Sequence, residues 1–271
     1  MSRTDGGRAL LPLGSMPILN KLTLINVGFG DASALTGCLN TDLQSLQLDY
    51  IQVGRYHKEW NPSDVTVLAQ KISQMSGLVS LCVANTPFAD AHLETILPNL
   101  PNLKHLDVSG NFGEGAGPES KLTDAALEAI AENCPHLQSL SVNYQRRVTM
   151  NGLKGLLIKL PNLLELEVSD LPSIKREQVC ELLLFAENLR FLRFGAIGER
   201  LETHPDDVLI GYAIADREGK VVVCTEMGGL IQVPLIPKFK ENQEKSMALI
   251  EESNDNFYDP LTCDKWKGIT A

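Results

Sequence analysis

Three residues could together form a nucleophilic site: Cys82, His105 and Asp107. They sit at outward phases of a recurring short segment, so neighbouring strands would bring thiol, imidazole and carboxylate to one face. A cysteine nucleophile works as its thiolate, and nothing in the sequence around Cys82 activates it. The five histidines, His57, His92, His105, His136 and His204, are scattered, with no HExxH motif and no nucleophile elbow. Residues 110–121 (GNFGEGAGPESK) are rich in glycine but do not make a phosphate cradle. Lys121 does not follow a glycine, Leu122 stands where Ser or Thr is needed, and Glu114 and Glu119 would repel phosphate. That segment reads as a flexible loop. The six cysteines are widely spaced, with no CxxC and no Cys/His pair at metal-ligand spacing. The expectation is no catalytic residue, no cofactor, no metal and no enzymatic activity.

Chemistry of recognition is better represented. Residues 50–62 (YIQVGRYHKEWNP) carry Tyr50, Arg55, Tyr56, His57 and Trp60. Aromatics and arginine dominate binding hot spots, because they bury large area at low entropic cost. Residues 143–147 (NYQRR) add Tyr144, Arg146 and Arg147, whose guanidinium groups suit acidic ligand groups. One reading makes these residues a binding ridge along one edge of the molecule. The other packs Trp60 and the tyrosines back on the body to staple the loop. Both stay open in the sequence.

The elements that must position these residues come from a repeat. The pattern x-Leu-x-x-Leu-x-Val/Leu occurs at residues 18–24 (ILNKLTL), 42–48 (DLQSLQL), 77–83 (GLVSLCV), 102–108 (NLKHLDV), 136–142 (HLQSLSV), 162–168 (NLLELEV) and 188–194 (NLRFLRF). The first leucines are 24, 35, 25, 34, 26 and 26 residues apart. The two long steps are the short period plus an insertion. That period falls within the leucine-rich-repeat range of roughly 20–29 residues. Each short motif supplies one parallel strand, with leucines pointing inward and alternate residues outward onto a concave face.

The outward central column then reads Thr23, Gln47, Cys82, Asp107, Ser141, Glu167 and Arg193. One flanking column is Lys21, Ser45, Ser80, His105, Ser139, Glu165 and Phe191; the other is Ile25, Asp49, Ala84, Ser109, Asn143, Ser169 and Gly195. Asp107, Glu165 and Glu167 give this polar face acidic spots suited to a basic partner segment, with Arg193 and Phe191 marking its end. Helices are expected between strands. Residues 121–134 (KLTDAALEAIAENC) have Leu122, Ala126, Leu127 and Ile130 on one side, Thr123 as N-cap and Asp124 at the positive helix end. Ser63 and Asp64, Thr149 and Ser173 are similar starts for helices over 65–75, 152–160 and 178–186. Pro101, Pro135 and Pro161 stop helices before the next strand.

Residues 122–142 (LTDAALEAIAENCPHLQSLSV) resemble the cysteine-containing leucine-rich repeat of F-box substrate receptors. Thr123–Asp124, Leu127, Ile130, Cys134–Pro135, Leu137 and Leu140 hold the positions of that pattern, and the likeness extends more weakly over residues 9–197. The resemblance implies an α/β leucine-rich-repeat solenoid of about seven repeats, with parallel strands on the concave face and helices on the convex face. For function it implies a substrate- or partner-recognition subunit of a ubiquitin-ligase-type complex, with cullin-adaptor machinery among its partners. The alternative is a structural scaffold or assembly subunit of a larger eukaryotic complex.

Composition bounds the rest. The chain has 271 residues and a formal net charge of -10, which argues against nucleic acid and anionic lipid as partners. No long apolar stretch predicts a membrane span, and the N-terminus makes a poor signal peptide, so a cytoplasmic or nuclear protein with reduced cysteines is expected. Residues 9–13 read as the tail of a helix, leaving that end of the array nearly uncapped. The expected organisation is a solenoid over 1–197, an antiparallel β cap over 198–237 built on a hairpin, and an acidic tail over 238–271. Phe257, Tyr258 and Trp266 in the tail could dock on the body or on a partner.

Overall fold

The computed structural model describes residues 11–16, 18–54, 60–110, 122–169, 171–174, 182, 185, 188–189 and three strands at 191–195, 211–215 and 221–225. The strands are β1 (Lys21–Ile25), β2 (Gly28–Phe29), β3 (Ser45–Asp49), β4 (Gln52–Val53), β5 (Ser80–Cys82) and β6 (His105–Asp107). They continue as β7 (Ser139–Ser141), β8 (Glu165–Glu167), β9 (Phe191–Gly195), β10 (Gly211–Ala215) and β11 (Val221–Thr225). The helices are α1 (Ala32–Gly37), α2 (Pro62–Ile72), α3 (Asp90–Ile96), α4 (Asp124–Asn133) and α5 (Met150–Lys159).

One sheet runs β1-β3-β5-β6-β7-β8-β9-β10-β11. From β1 to β9 every neighbouring pair is parallel. β10 pairs antiparallel with β9 and with β11. Parallel neighbours in chain order, each joined by a segment that carries a helix or turn, make a one-way coil of strand and return. This α/β arrangement is compatible with a leucine-rich-repeat solenoid.

The alternation in each strand explains the layering. Leu22, Leu46, Leu81, Leu106, Leu140, Leu166 and Leu192 lie in register across seven strands, and all are buried. A fully buried leucine contributes about 1.5–3 kcal/mol, so this single row is a large part of the core. Successive helices pack side by side and turn their apolar stripes inward; Leu127 and Ile130 of α4 and Leu153, Leu156 and Leu157 of α5 are buried. Cys38 and Cys134 are free thiols in this core, as expected of small buried hydrophobes.

Helix starts follow local chemistry. Thr123 caps α4 by accepting from the Ala125 N–H, and Thr149 caps α5 by accepting from the Gly152 N–H. The expected start at Ser63 is displaced: α2 begins at Pro62, and the Asn61 side chain accepts from the Ser63 N–H. Proline fixes φ and lacks the N–H that a first helical turn leaves unpaired, so it takes the first position and Asn61 becomes the cap. Two short helices escape the periodicity reading altogether. α1 has six residues and α3 seven, too few for an apolar stripe to repeat. Part of the first insertion forms structure as well: β4 pairs with β2 in a separate two-stranded sheet. The helix expected over 178–186, and residues 198–210, 216–220 and 226–271, lie outside the described residues apart from Leu182 and Phe185.

Candidate functional site

The outward columns align as the leucine period requires. Thr23, Gln47, Cys82, Asp107, Ser141, Glu167 and Arg193 are successive backbone partners across the sheet, as are Lys21, Ser45, Ser80, His105, Ser139, Glu165 and Phe191. Adjacent strands lie about 4.8 Å apart, so Asp107 and Glu167, two strands apart, are separated by about 10 Å at the backbone. Glu165 is exposed in the flanking column, and Asp107 and Glu167 are half-buried.

A hydrogen-bond network ties the acidic groups into the face. Asp107 accepts from the Ser109 N–H at 2.9 Å. The Ser109 and Ser141 hydroxyls are 2.8 Å apart, and Ser141 donates to Glu167 Oε2 at 3.2 Å. Asn143 Nδ2 reaches both Ser141 Oγ at 2.9 Å and Glu167 Oε2 at 3.3 Å, and its Oδ1 accepts from the Ser169 N–H at 2.7 Å. Nearer the first strand, Asn85 Nδ2 donates to Asp49 Oδ1 at 2.7 Å. These bonds hold the Asp49, Asp107 and Glu167 carboxylates in place on the face. The described ion pairs lie on the helical side, where Lys159 sits 3.4 Å from Glu128 and from Glu132.

The three residues with a possible nucleophilic role are brought together only in part. Cys82 pairs with Asp107 in register and its Sγ donates to Asp107 Oδ2 at 3.5 Å. His105 pairs with Ser80, two residues along the strand, or about 7 Å away. Burial, and next to it the Asp107 charge, push the Cys82 thiol up to about 12. The neighbour of this sulfur is a carboxylate that opposes ionisation, so at neutral pH the group is a thiol hydrogen-bond donor.

The aromatic and arginine ridge divides. Trp60 is buried, and its Nε1 donates to the Ile51 carbonyl at 3.1 Å. It is therefore withdrawn as a partner-facing residue: an indole with its N–H satisfied inside the core staples the insertion to the array. Tyr50 is exposed, Tyr144 is half-buried, and Arg146 and Arg147 are exposed. Tyr50 and Tyr144 occupy equivalent places, each just past a strand, with φ of 50° and 59°. Asn26 and Asn85 take the same left-handed place in their repeats, with φ of 55° in both. A tyrosine carries a Cβ penalty there that glycine lacks and that the short polar side chain of asparagine offsets by local hydrogen bonding. Arg55 and Tyr56 lie outside the described residues.

Sequence reasoning missed Gln145. Its side chain is buried and Nε2 donates to the Val108 carbonyl, which anchors residues 143–147 and turns the flanking arginines outward. It also missed a groove of about 520 Å³ at the edge where the strands begin, lined by Lys104, His136, Gln138, Asn162, Leu164 and Asn188. Among the described residues no group of three or more His, Cys, Asp or Glu side chains is placed to hold a metal. No described helix is long and apolar enough to cross a membrane.

No protein-family model matches the chain, and no curated protein matches it. Among solved structures, the chain is similar to one in the crystal structure of the Rad7 and Elc1 complex in yeast. The identity is 16% and the TM-score 0.47, over 72% of this chain and 55% of that one. The chain thus spans little more than half the length of that neighbour.

Proposed function

We propose that this chain is a protein-recognition module whose concave face takes a basic segment of a partner protein. The observation that carries the proposal is the registered acidic face: Asp49 on β3, Asp107 on β6 and Glu167 on β8 are held by side-chain and amide hydrogen bonds, and Glu165 stands exposed on the same strand as Glu167. A row of fixed carboxylates steers a cationic segment and sets its register. Binding rather than catalysis is the reading because Cys82, the thiol on this face, is held protonated beside the Asp107 carboxylate.

Within that class, we read the chain as a substrate- or partner-recognition subunit of a ubiquitin-ligase-type complex, cytoplasmic or nuclear, with cullin-adaptor machinery as its wider assembly. The support is the resemblance of residues 122–142 to the cysteine-containing repeat. In the same reading the array has about seven repeats, and the β10–β11 pair forms its C-terminal cap. A second reading, a scaffold or assembly subunit, has its own support. Ile18 and Ile25 flank or end β1, the outermost strand of the sheet, and are 91% and 53% exposed. Apolar side chains beside a strand with no outer neighbour among the described residues suit a permanently bound partner.

Affinity purification of the tagged full chain from its own cells, followed by mass spectrometry, separates the two. The ligase reading expects a cullin and its adaptor, together with further proteins that disappear when Asp107→Lys and Glu167→Lys are combined. A fixed stoichiometric set without any ligase component contradicts it and leaves the scaffold.

A further inference from the structure

We propose that the groove at the strand-entry edge is a second recognition site, for a carboxylate-bearing peptide segment of a partner protein. Its lining comes from the turns that lead into β6, β7, β8 and β9: Lys104, His136, Gln138, Asn162, Leu164 and Asn188. The molecule as a whole is strongly acidic, with a net charge of -10. Among the described residues this lining nevertheless contains an ammonium group, an imidazole and three side-chain amides, and no carboxylate. It therefore favours an acidic occupant at a place where the rest of the chain would repel one.

The groove is also built to keep its shape. Asn162 Nδ2 donates to the Pro135 carbonyl at 3.1 Å and Asn188 Nδ2 to the Pro161 carbonyl at 2.7 Å, so each asparagine is locked to the turn before it. The backbone beneath is closed by paired amides. Gln138 and Ser139 both donate to the Lys104 carbonyl, and Leu164 and Glu165 both donate to the Gln138 carbonyl. Each locked asparagine keeps a second N–H and a carbonyl oxygen, the pair of groups that a peptide unit complements. Leu164 gives the groove one apolar wall for the stem of a Glu side chain. A peptide thus fits this lining better than a bare anion: its main chain meets the amides while its carboxylate meets Lys104 and His136.

This site is separate from the acidic columns, although the two adjoin. Lys104 directly precedes His105 at the start of β6, and Asp107 ends that strand. Three residues along a strand span about 10 Å, so a cationic edge adjoins the anionic centre. The groove proposal does not depend on the concave face binding a basic segment, and each has its own probe.

The test uses the full chain and fluorescence anisotropy with three labelled octapeptides, alternating Glu-Gly, Gln-Gly and Lys-Gly. The Glu-Gly peptide is expected to bind and the Gln-Gly peptide to bind at least tenfold more weakly. Lys104→Glu combined with His136→Glu should abolish Glu-Gly binding, and Lys104→Gln should weaken it about tenfold. Lys104 and His136 are exposed, so these variants should retain the circular dichroism spectrum of the parent chain. Asp107→Asn should leave Glu-Gly binding in place while weakening Lys-Gly binding. No Glu-Gly binding, or binding that survives Lys104→Glu with His136→Glu, overturns the groove proposal, whatever the Lys-Gly peptide does. Displacement of the peptide by an equal concentration of inorganic phosphate would make this a simple anion site and overturn it too. So would a change in sedimentation with Lys104→Glu and no peptide binding, which would mark an interface between copies of the chain.

Discussion

The carboxylate of Asp124 accepts two hydrogen bonds from Thr149, from its backbone N–H at 2.8 Å and from its hydroxyl at 2.6 Å. Asp90 holds Thr123 in the same way, at 2.9 and 2.8 Å. Each threonine caps its own helix, and each aspartate, in the first turn of the helix before, grips that cap from the neighbouring repeat. Capping within a repeat and stacking between repeats are thus one interaction. Stability in such arrays is a sum of repeat and interface terms, and this contact belongs to both.

Asp124→Ala should therefore cost more than the loss of a first-turn acid alone. Removing a charged acceptor from two part-buried donors costs about 2 kcal/mol, against about 0.5 kcal/mol for Asp64→Ala, which removes a helix-dipole interaction. Gly152→Ala should reverse its usual sign. Alanine normally favours a helix by about 1 kcal/mol over glycine. Here the added Cβ would clash with the Asp124 carboxylate, which must then move off Thr149. Urea unfolding midpoints of the three variants check both statements.

Trp60 should behave as a core residue. Trp60→Ala is expected to destabilise by about 3–5 kcal/mol through the cavity it leaves. Trp60→Phe should cost less, about 1–2 kcal/mol, from the unpaired Ile51 carbonyl and the smaller ring. At temperatures where the Phe variant stays folded, its partner binding should equal that of the parent. Thermal unfolding and binding measured on the same preparation separate the two roles.

Burial and the neighbouring carboxylate push the Cys82 thiol up to about 12, and burial alone does the same for Cys134. Both lie above the ordinary thiol value of 9.0, which stands for the unfolded chain. Between those values the unfolded chain has lost protons that the folded chain still holds. Stability must therefore fall as pH rises above about 9, and be fully present below it. Combining Cys82→Ala with Cys134→Ala should flatten the fall in urea midpoint between pH 8 and pH 10. At pH 7, iodoacetamide should leave the Cys82 peptide unmodified until the chain is unfolded.

The sequence carried the strand columns because alternation has a strict period of two, so one leucine phase fixes which neighbours face outward. Thr123 and Thr149 were legible as caps because a hydroxyl residue before an apolar stripe has a local reason to be there. Asn61 was less so, since Pro62 moved the helix start towards the N-terminus. Trp60 could be read either way, because the sequence does not say which surface the indole meets. The groove was out of reach: its residues come from successive turns, 26 or 34 positions apart, and only the coil brings them together. The partnership of Asp124 with Thr149 is of the same kind, two local signals whose contact is made by stacking.

The central claim is that carboxylates on the concave face recognise a basic segment. Its most direct test is anisotropy with the labelled Lys-Gly octapeptide, titrated against the full chain and against Asp107→Asn combined with Glu167→Gln, at 50 and 200 mM salt. The account predicts that the double variant binds at least tenfold more weakly and that the parent chain loses affinity as salt rises. Equal binding by both proteins, or no binding by the parent, would contradict it.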